Sequence, residues 1–313
     1  MTLRIVGVSE PASDLDTTLA GPVLAIGPLA HASEFWLQQA TFTLTEDDTD
    51  DHRVITVPSI DSAVAELAAR VQRWPLAAAV CDDVLRSFDP AGPTLAGVVT
   101  ESLAYSTLQG GPEFARWLAE RGPARMPEIA DPVQAHREGN RLRIAFNRPQ
   151  RHNAFSTDAR AALLEALTVA QLDPSVDEVV LTGNGPSFCS GGDLDEFGRF
   201  SDPASAHLAR TRYSPALVLD ALTARLGPGC RAEVHGQVLG SGLEMAVFCG
   251  RLDAAPDCVF GLPELSLGLI PGAGGTVSVT RRIGRWRTAY LVLSGRRIGV
   301  DTAICWGLVD ARS

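Results

Sequence analysis

Two stretches of this chain share one plan, a strand that runs into a glycine-rich turn. Glu178–Thr182 ends in Gly183–Gly192, and Arg231–His235 enters Gly236–Gly242, after which Leu243–Cys249 reads as the first turns of a helix. Strand, glycine turn and helix in succession are the layout of an α/β fold whose strand ends carry a site. Glycine turns also let the backbone come close to a ligand, which a Cβ would prevent.

The elements around these turns follow from periodicity and punctuation. Arg141–Phe146 alternates like a strand, and Thr157–Ala170 is a helix running Ala161, Leu164, Leu167. A break falls near 122–140, where Gly122, Pro123, Pro127, Pro132 and Gly139 punctuate a polar stretch. It divides the chain into a partly helical segment, 1–132, and a rear segment, 133–313. In the front segment Thr41–Thr45 and Arg53–Val57 are short strands either side of an acidic loop, Glu46–Asp51, which reads as a solvated turn and not a metal site. Asp61–Trp74 is helical, with Val64, Leu67, Val71 and Trp74 on one stripe; Pro75 opens another helix through Arg86, and Glu113–Arg121 is a further one. Residues 1–40 carry no functional reading.

At 313 residues a large core is easily buried, and 45% hydrophobic with 20% charged residues is an ordinary globular balance. The net charge of −10 is unevenly held. Residues 1–132 have 19 Asp/Glu against 8 Arg, whereas residues 133–313 have 18 against 19, leaving the rear segment free to bind an anion. The chain has no lysine, so a phosphate must be held by arginine or backbone N–H groups. The acidic front argues against nucleic acid as a partner. No apolar run reaches membrane-spanning length, and Met1–Glu10 lacks the pattern of a secretory signal. The six cysteines form no CxxC pair or Cys/His cluster; they read as small buried apolar residues of a reducing compartment, with cytoplasm the default location and no metal site expected.

Four stretches are distinctive together: Asn147-Arg-Pro-Gln-Arg-His-Asn-Ala154, Phe188-Cys-Ser-Gly-Gly-Asp-Leu194, His235-Gly-Gln-Val-Leu-Gly-Ser-Gly-Leu-Glu244, and Phe260-Gly-Leu-Pro-Glu-Leu-Ser-Leu-Gly-Leu-Ile-Pro-Gly-Ala-Gly-Gly-Thr276. With the later Leu293-Ser-Gly-Arg-Arg297 and Trp306-Gly-Leu-Val-Asp310, the chain resembles the crotonase superfamily over about residues 135–310, and within it the enoyl-CoA hydratases. The resemblance implies a crotonase-like ββα spiral core, an acyl-coenzyme A thioester as substrate, and addition of water across its double bond. No cofactor is implied beyond the coenzyme A that the substrate brings, and a trimer or dimer of trimers is the implied assembly. Attack of water on an unsaturated thioester pushes negative charge onto the carbonyl oxygen, which backbone N–H donors in a dry pocket stabilise. By position in the family pattern these donors are Gly192 and Ser241, the second often glycine in the family. Glu244 and Glu264 match the two catalytic glutamates. Two carboxylates in one small site repel, so one can act as acid and the other as base. Each also stands where a helix start favours an acid on dipole grounds. For coenzyme A the resemblance points to the loop Arg148–Ala154, with Arg148 and Arg151 as phosphate candidates, and to main chain near Asp193 and Leu194. Asp193 is expected to fix its loop, His235 to be packed, and Phe197 and Phe200 to line the acyl pocket or pack in the core.

Two rival motifs fail. Gly272-Ala-Gly-Gly275 lacks the third glycine of a dinucleotide fingerprint, and the glycines beside Ser241 do not have nucleophile-elbow spacing. Two departures from the family stand out. The family usually continues past Gly307-Leu-Val-Asp310 into helices that cover the site and build trimers, whereas this chain stops at Ser313. Residues 53–58, 63–73, 75–86, 101–108 and 113–121 look like that missing part, so a circular permutation is expected; the bland alternative is an unrelated helical extension. In Cys230-Arg-Ala-Glu-Val234 the family's apolar strand carries Arg231 and Glu233 on one face, which must be wet, paired or at an interface. Alternatives to a hydratase are an isomerase of the same fold, or a catalytically weak acyl-CoA-binding or assembly protein.

Overall fold

The computed structural model describes residues 3–11, 21–124, 130–199 and 202–313; Pro127 and Phe200 lie outside them. The front segment opens with β1 (Arg4–Gly7), β2 (Val23–Ile26), α1 (Glu34–Gln39), β3 (Phe42–Thr45) and β4 (Val54–Thr56). These strands form one all-parallel sheet in the order β1-β2-β3-β4. The strand pair expected around Glu46–Asp51 is therefore present, and it is half of a larger sheet. Its first two strands are too short and too interrupted to show as periodicity. Glu46, Asp47 and Asp48 are exposed, as a solvated turn requires. Trp36, Val6, Val23 and Val54 pack a small core of their own beside the sheet.

Four helices follow: α2 (Ile60–Arg73), α3 (Pro75–Ser87), α4 (Thr94–Gln109) and α5 (Pro112–Arg121). Ser59 caps α2 by accepting the Ser62 N–H, and proline opens α3 and α5, where its missing N–H costs nothing. Along α2, Ala63, Leu67 and Val71 recur at a spacing of four and are all buried.

The rear segment begins at β5 (Val133–Glu138) and continues through β6 (Arg141–Phe146), α6 (Thr157–Leu172), β7 (Glu178–Gly183), α7 (Pro203–Arg212), α8 (Pro215–Leu226), β8 (Cys230–Val234), β9 (Gln237–Leu239), α9 (Ser241–Ala246), β10 (Arg251–Ala254) and β11 (Val259–Gly261). It closes with α10 (Gly275–Ser294), kinked at Gly284, then β12 (Ile298–Gly299), α11 (Val300–Cys305) and β13 (Ala311–Arg312). One mixed sheet runs β13-β10-β8-β7-β6-β5, antiparallel only between β5 and β6, and a small sheet runs β12-β11-β9. Half of the expected break is thus a strand: Gln-Ala-His-Arg-Glu is polar because β5 is an exposed sheet edge. The helix expected over Leu243–Cys249 begins earlier, at Ser241, and ends at Ala246. The charged face of β8 is paired. Glu233 meets Arg231 and Arg143, each at 3.1 Å, and Glu178 takes both Arg141 and Arg231. Five cysteines are buried as free thiols, whereas Cys305 is exposed.

Front and rear share one apolar core. Leu67, Trp74, Leu85 and Phe114 belong to the same buried cluster as Phe260, Leu269, Val277 and Leu291. The spine is α10, against which α2, α3 and α4 all pack. One close approach is at Gly97 of α4, where an added Cβ would sit 2.5 Å from Val277. Polar groups tie the same surface: Arg70 donates to the Leu293 carbonyl at 3.0 Å, and Arg281 donates to the Thr94 hydroxyl at 2.8 Å. A chain beginning at Asp131 would expose this apolar face of α10 to water. It should be insoluble or inactive in a solubility and activity comparison with the full chain; a soluble, active rear segment would show the front to be an appendage. Leu67→Ala should lower unfolding free energy by roughly 2–5 kcal/mol in denaturant titration.

Candidate active site

The two glycine turns meet because short strand pairings zip them together. Cys189 pairs with Val238, the Cys189 N–H donating to Gln237 at 3.0 Å and the Leu239 N–H returning to Cys189 at 3.0 Å. This brings Gly191–Gly192 beside Gly240–Ser241. Gly240 has φ +47 and ψ −127, open only to glycine, and a Cβ there would lie 2.5 Å from Oε1 of Glu264. Among the described residues, the N–H groups of Gly192 and Ser241 donate to no protein acceptor. Both residues line a cavity of about 170 Å³ that also takes in Glu244, Glu264, Tyr105 and Phe155. The serine at 241 keeps its side chain buried, with its hydroxyl unpartnered.

Each glutamate is placed by its own element. Glu244 stands in the first turn of α9 and is 1% exposed; its Oε2 accepts the N–H groups of Ala273 and Gly275, both at 2.7 Å. Glu264 opens the 3₁₀ turn after β11, is 8% exposed, and its Oε2 has no hydrogen-bond partner. Burial, then the charges of Glu264 and Glu101, push the Glu244 carboxyl well above its ordinary range, against the pull of the Ala273 and Gly275 amides. Burial also raises Glu264, and the charge of Glu101 adds to it.

Glu101 is the residue that sequence reasoning did not single out. It lies in α4, 1% exposed, and accepts the Gly274 N–H at 2.7 Å, the Thr276 N–H at 2.8 Å and the Thr276 hydroxyl at 2.7 Å. Burial raises its carboxyl and these donors oppose the rise. Tyr105 of the same helix, with Arg160 of α6 and Arg210 of α7, also lines the cavity. One signal was available for Glu101, an acid on the buried side of a largely apolar helix.

The loop residues expected near coenzyme A form a tight ionic knot. Asp193, 2% exposed, accepts from Arg148 and Arg151, each at 2.8 Å. Arg148 is itself buried and gives a second bond to the Ala154 carbonyl. Its guanidinium is turned inward on the loop, away from solvent. Arg151 is half-buried and also pairs with Asp195 at 2.7 Å. Leu194 is exposed, and its carbonyl is held by Arg121 from the front segment. His235 binds the Gly185 carbonyl at 2.9 Å and lies outside the cavity. Phe197 forms part of the cavity wall. No cluster of His, Cys, Asp or Glu among the described residues has the makings of a metal site, and no helix among them is long and apolar enough to cross a membrane.

Two buried carboxyls thus share a cavity with two main-chain donors left free, an arrangement able to meet charge developing on an oxygen. Residues 137–312 match the enoyl-CoA hydratase/isomerase family model. The chain is 36% identical over 169 residues to the 2,3-dehydroadipyl-CoA hydratase of Escherichia coli, covering 54% of this chain and 64% of that protein. It is 35% identical to the mitochondrial enoyl-CoA hydratase of Pongo abelii, covering 53% and 56%. Among solved structures it is similar to Pseudomonas aeruginosa AtuE, with TM-score 0.52 at 33% identity over 58% of this chain and 70% of that one. The enoyl-CoA hydratase from Thermoplasma volcanium gives TM-score 0.50 at 32% identity over 59% and 72%. The chain belongs to the enoyl-CoA hydratase/isomerase family of the crotonase superfamily. It spans less than two thirds of the length of these two curated relatives.

The raised carboxyls carry a pH signature. A carboxyl held above its ordinary 4.5 in the folded state binds its proton more tightly there than in the unfolded chain. Its contribution to stability is whole below that value and is lost as pH rises through the folded-state value. Glu264→Gln keeps the shape without the titration, so its melting temperature should gain on the unsubstituted protein as pH is raised from acid through neutrality. A difference that stays constant with pH would mean that Glu264 is not shifted.

Proposed function

We propose that the protein is an enoyl-CoA hydratase, adding water across the double bond of a 2-enoyl-CoA thioester. The observation that carries this reading is one cavity holding two buried carboxyls, Glu244 and Glu264, beside the unengaged N–H groups of Gly192 and Ser241. In this reading the thioester carbonyl oxygen accepts those two N–H groups, so that charge driven onto it is met by fixed donors and not by mobile water. Glu244, whose burial is partly offset by two amides on one oxygen, serves as base. It takes a proton from water as the water oxygen bonds to the β-carbon. Glu264, desolvated and with an unpartnered oxygen, holds the proton and delivers it to the α-carbon as the enolate collapses. The product is the 3-hydroxyacyl thioester, and one proton has been exchanged for the other.

The coenzyme is assigned to the surface formed by the Arg148–Ala154 loop and the Asp193–Leu194 main chain. Arg151 is its phosphate contact, and Arg148 with Asp193 sets the loop. The front segment, in this reading, stands in for the helices that the family carries after the core. Support comes from its packing on α10 and from α4, which brings Tyr105 to the cavity wall and Glu101 to the turn beside it. A circular permutation accounts for that placement, and a trimer of the resulting units is the expected assembly.

Loss of crotonyl-CoA absorbance tests the activity. Glu244→Gln and Glu264→Gln should each lower turnover by roughly two or more orders of magnitude while thioester affinity changes little. Near-normal turnover in either variant removes that glutamate from the chemistry. Binding of coenzyme A thioesters without turnover of any enoyl chain would point to a binding or assembly protein; migration of the double bond without hydration would point to an isomerase.

A further inference from the structure

The cavity beside the glutamates does not end at Tyr105. A second chamber of about 360 Å³ adjoins it, and the two share Tyr105, Phe197, Arg160 and Arg210 as walls. The reacting end is thus lined by carboxyls and free amides, the wall common to both chambers carries the guanidiniums of Arg160 and Arg210, and the exposed Arg199 adds a third to the second chamber. Neither the Arg160 nor the Arg210 guanidinium is paired with a carboxylate, unlike those of Arg148, Arg151 and Arg231. Arg210 lies over the Tyr105 ring at 4.4 Å and donates only to neutral groups: the Ser102 hydroxyl at 3.1 Å, the Ser102 carbonyl at 3.3 Å, the Gln109 amide oxygen at 2.9 Å and the Ser106 hydroxyl. The guanidinium of Arg160, half-buried in the first turns of α6, makes no hydrogen bond and no ion pair among the described residues.

The acids nearby do not neutralise them. Glu196 is the carboxylate whose charge Arg160 feels, yet its Oε2 is taken by the Thr157 N–H at 2.7 Å and the Thr157 hydroxyl at 2.9 Å. Asp158 is exposed at the chamber rim. Burial lowers the pKa of both arginines; the charges of Tyr105 and Glu101 at Arg210, and of Glu196 at Arg160, oppose this, and the charge of Arg160 lowers that of Arg210 further. Two partly desolvated cations that repel each other, one with free donors, form a place where an anion gains two favourable interactions at once.

We propose that Arg160, backed by Arg210, is the receiving subsite for an anionic acyl terminus, so that the preferred thioester has an acyl chain ending in a carboxylate. This rests on the hydratase reading and specifies its substrate class. The planar guanidinium of Arg160 matches a carboxylate bidentately, while Arg210, fixed by its serines and Gln109, contributes charge without moving. Tyr105 and Phe197 narrow the passage between the two ends, which suits a short chain lying between the carbonyl and the carboxylate.

The test compares a short ω-carboxy-2-enoyl-CoA with the methyl-ended 2-enoyl-CoA of the same chain length, using the full chain. The unsubstituted protein should prefer the carboxylate by roughly ten- to a hundredfold in kcat/KM. Arg160→Met should erase that preference, chiefly through KM for the carboxylated substrate, and Arg160→Lys should restore part of it. Equal kcat/KM for the two substrates in the unsubstituted protein overturns the proposal. So does an Arg160→Met variant that weakens every thioester and free coenzyme A alike, since the guanidinium would then be holding the coenzyme's phosphates. Should no enoyl thioester turn over, the hydratase reading fails by itself. Calorimetric titration with a saturated ω-carboxyacyl-CoA against the matching alkanoyl-CoA then decides the subsite: tighter, Arg160-dependent binding of the first supports it, and equal affinities sink it.

Discussion

Consecutive amides of one turn, Ala273 to Thr276, are divided between two buried acids that reach them from opposite sides. Glu244 takes the N–H groups of Ala273 and Gly275, and Glu101 takes those of Gly274 and Thr276. Hydrogen bonds to a charged group contribute about 1.5–3 kcal/mol each, while an unpaired buried carboxylate costs several. The turn therefore needs both acids, and both acids need the turn. Three features hang on this arrangement. It sets the start of α10, it fixes the rotamer of Glu244 so that its other oxygen can face the cavity, and it pins α4 of the front segment to the rear core. An added Cβ at Gly275 would meet Cγ of Glu244 at 2.6 Å, so the backbone has no slack to accommodate a different partner.

Arginine does the remaining electrostatic work, in a chain with no lysine. In the Arg148–Asp193–Arg151 knot and the Glu178–Arg231–Glu233 ladder its planar fork binds two acceptors at once, something an ammonium does less well. The ladder explains how a charged strand can occupy the middle of a parallel sheet. Arg231 and Glu233 point to one face, where charges from β6 and β7 meet them, while Cys230, Ala232 and Val234 fill the core on the other.

What could be read from the sequence was what local spacing encodes. The glycine turns, the strands before them and the stripe of α2 are properties of neighbouring residues. So is the place of Glu244 and Glu264 just after a turn. β1, β2 and β5 were not legible: the first two are four-residue strands whose burial comes from a sheet assembled across Asp47 and Trp36, and the third is a polar edge. Tyr105, Arg160 and Arg210, which line the cavity, and Glu101, which holds the turn beside it, were missed for a different reason. Each sits in a helix whose pattern announces only a helix, and its proximity to Gly192 or Glu264 is created by tertiary packing.

The bonds from Glu101 to the turn cross 173 and 175 residues of sequence, and this separation sets the order in which the molecule can be completed. During synthesis α2 to α5 leave the ribosome with their apolar sides formed, and everything from β5 to β11 must still be made before α10 arrives to cover them. Until then Leu67, Leu85 and Val98 have no partner surface from that helix, and Glu101 is an acid in search of amides that do not yet exist. Local-contact helices fold in microseconds, whereas closure over such a distance is slow. The nascent chain thus passes through a long interval as a sticky helical cluster, dependent on speed of elongation or on a holdase for its solubility. A design that makes the site from both halves of the chain places its hazard in translation, before any substrate is met.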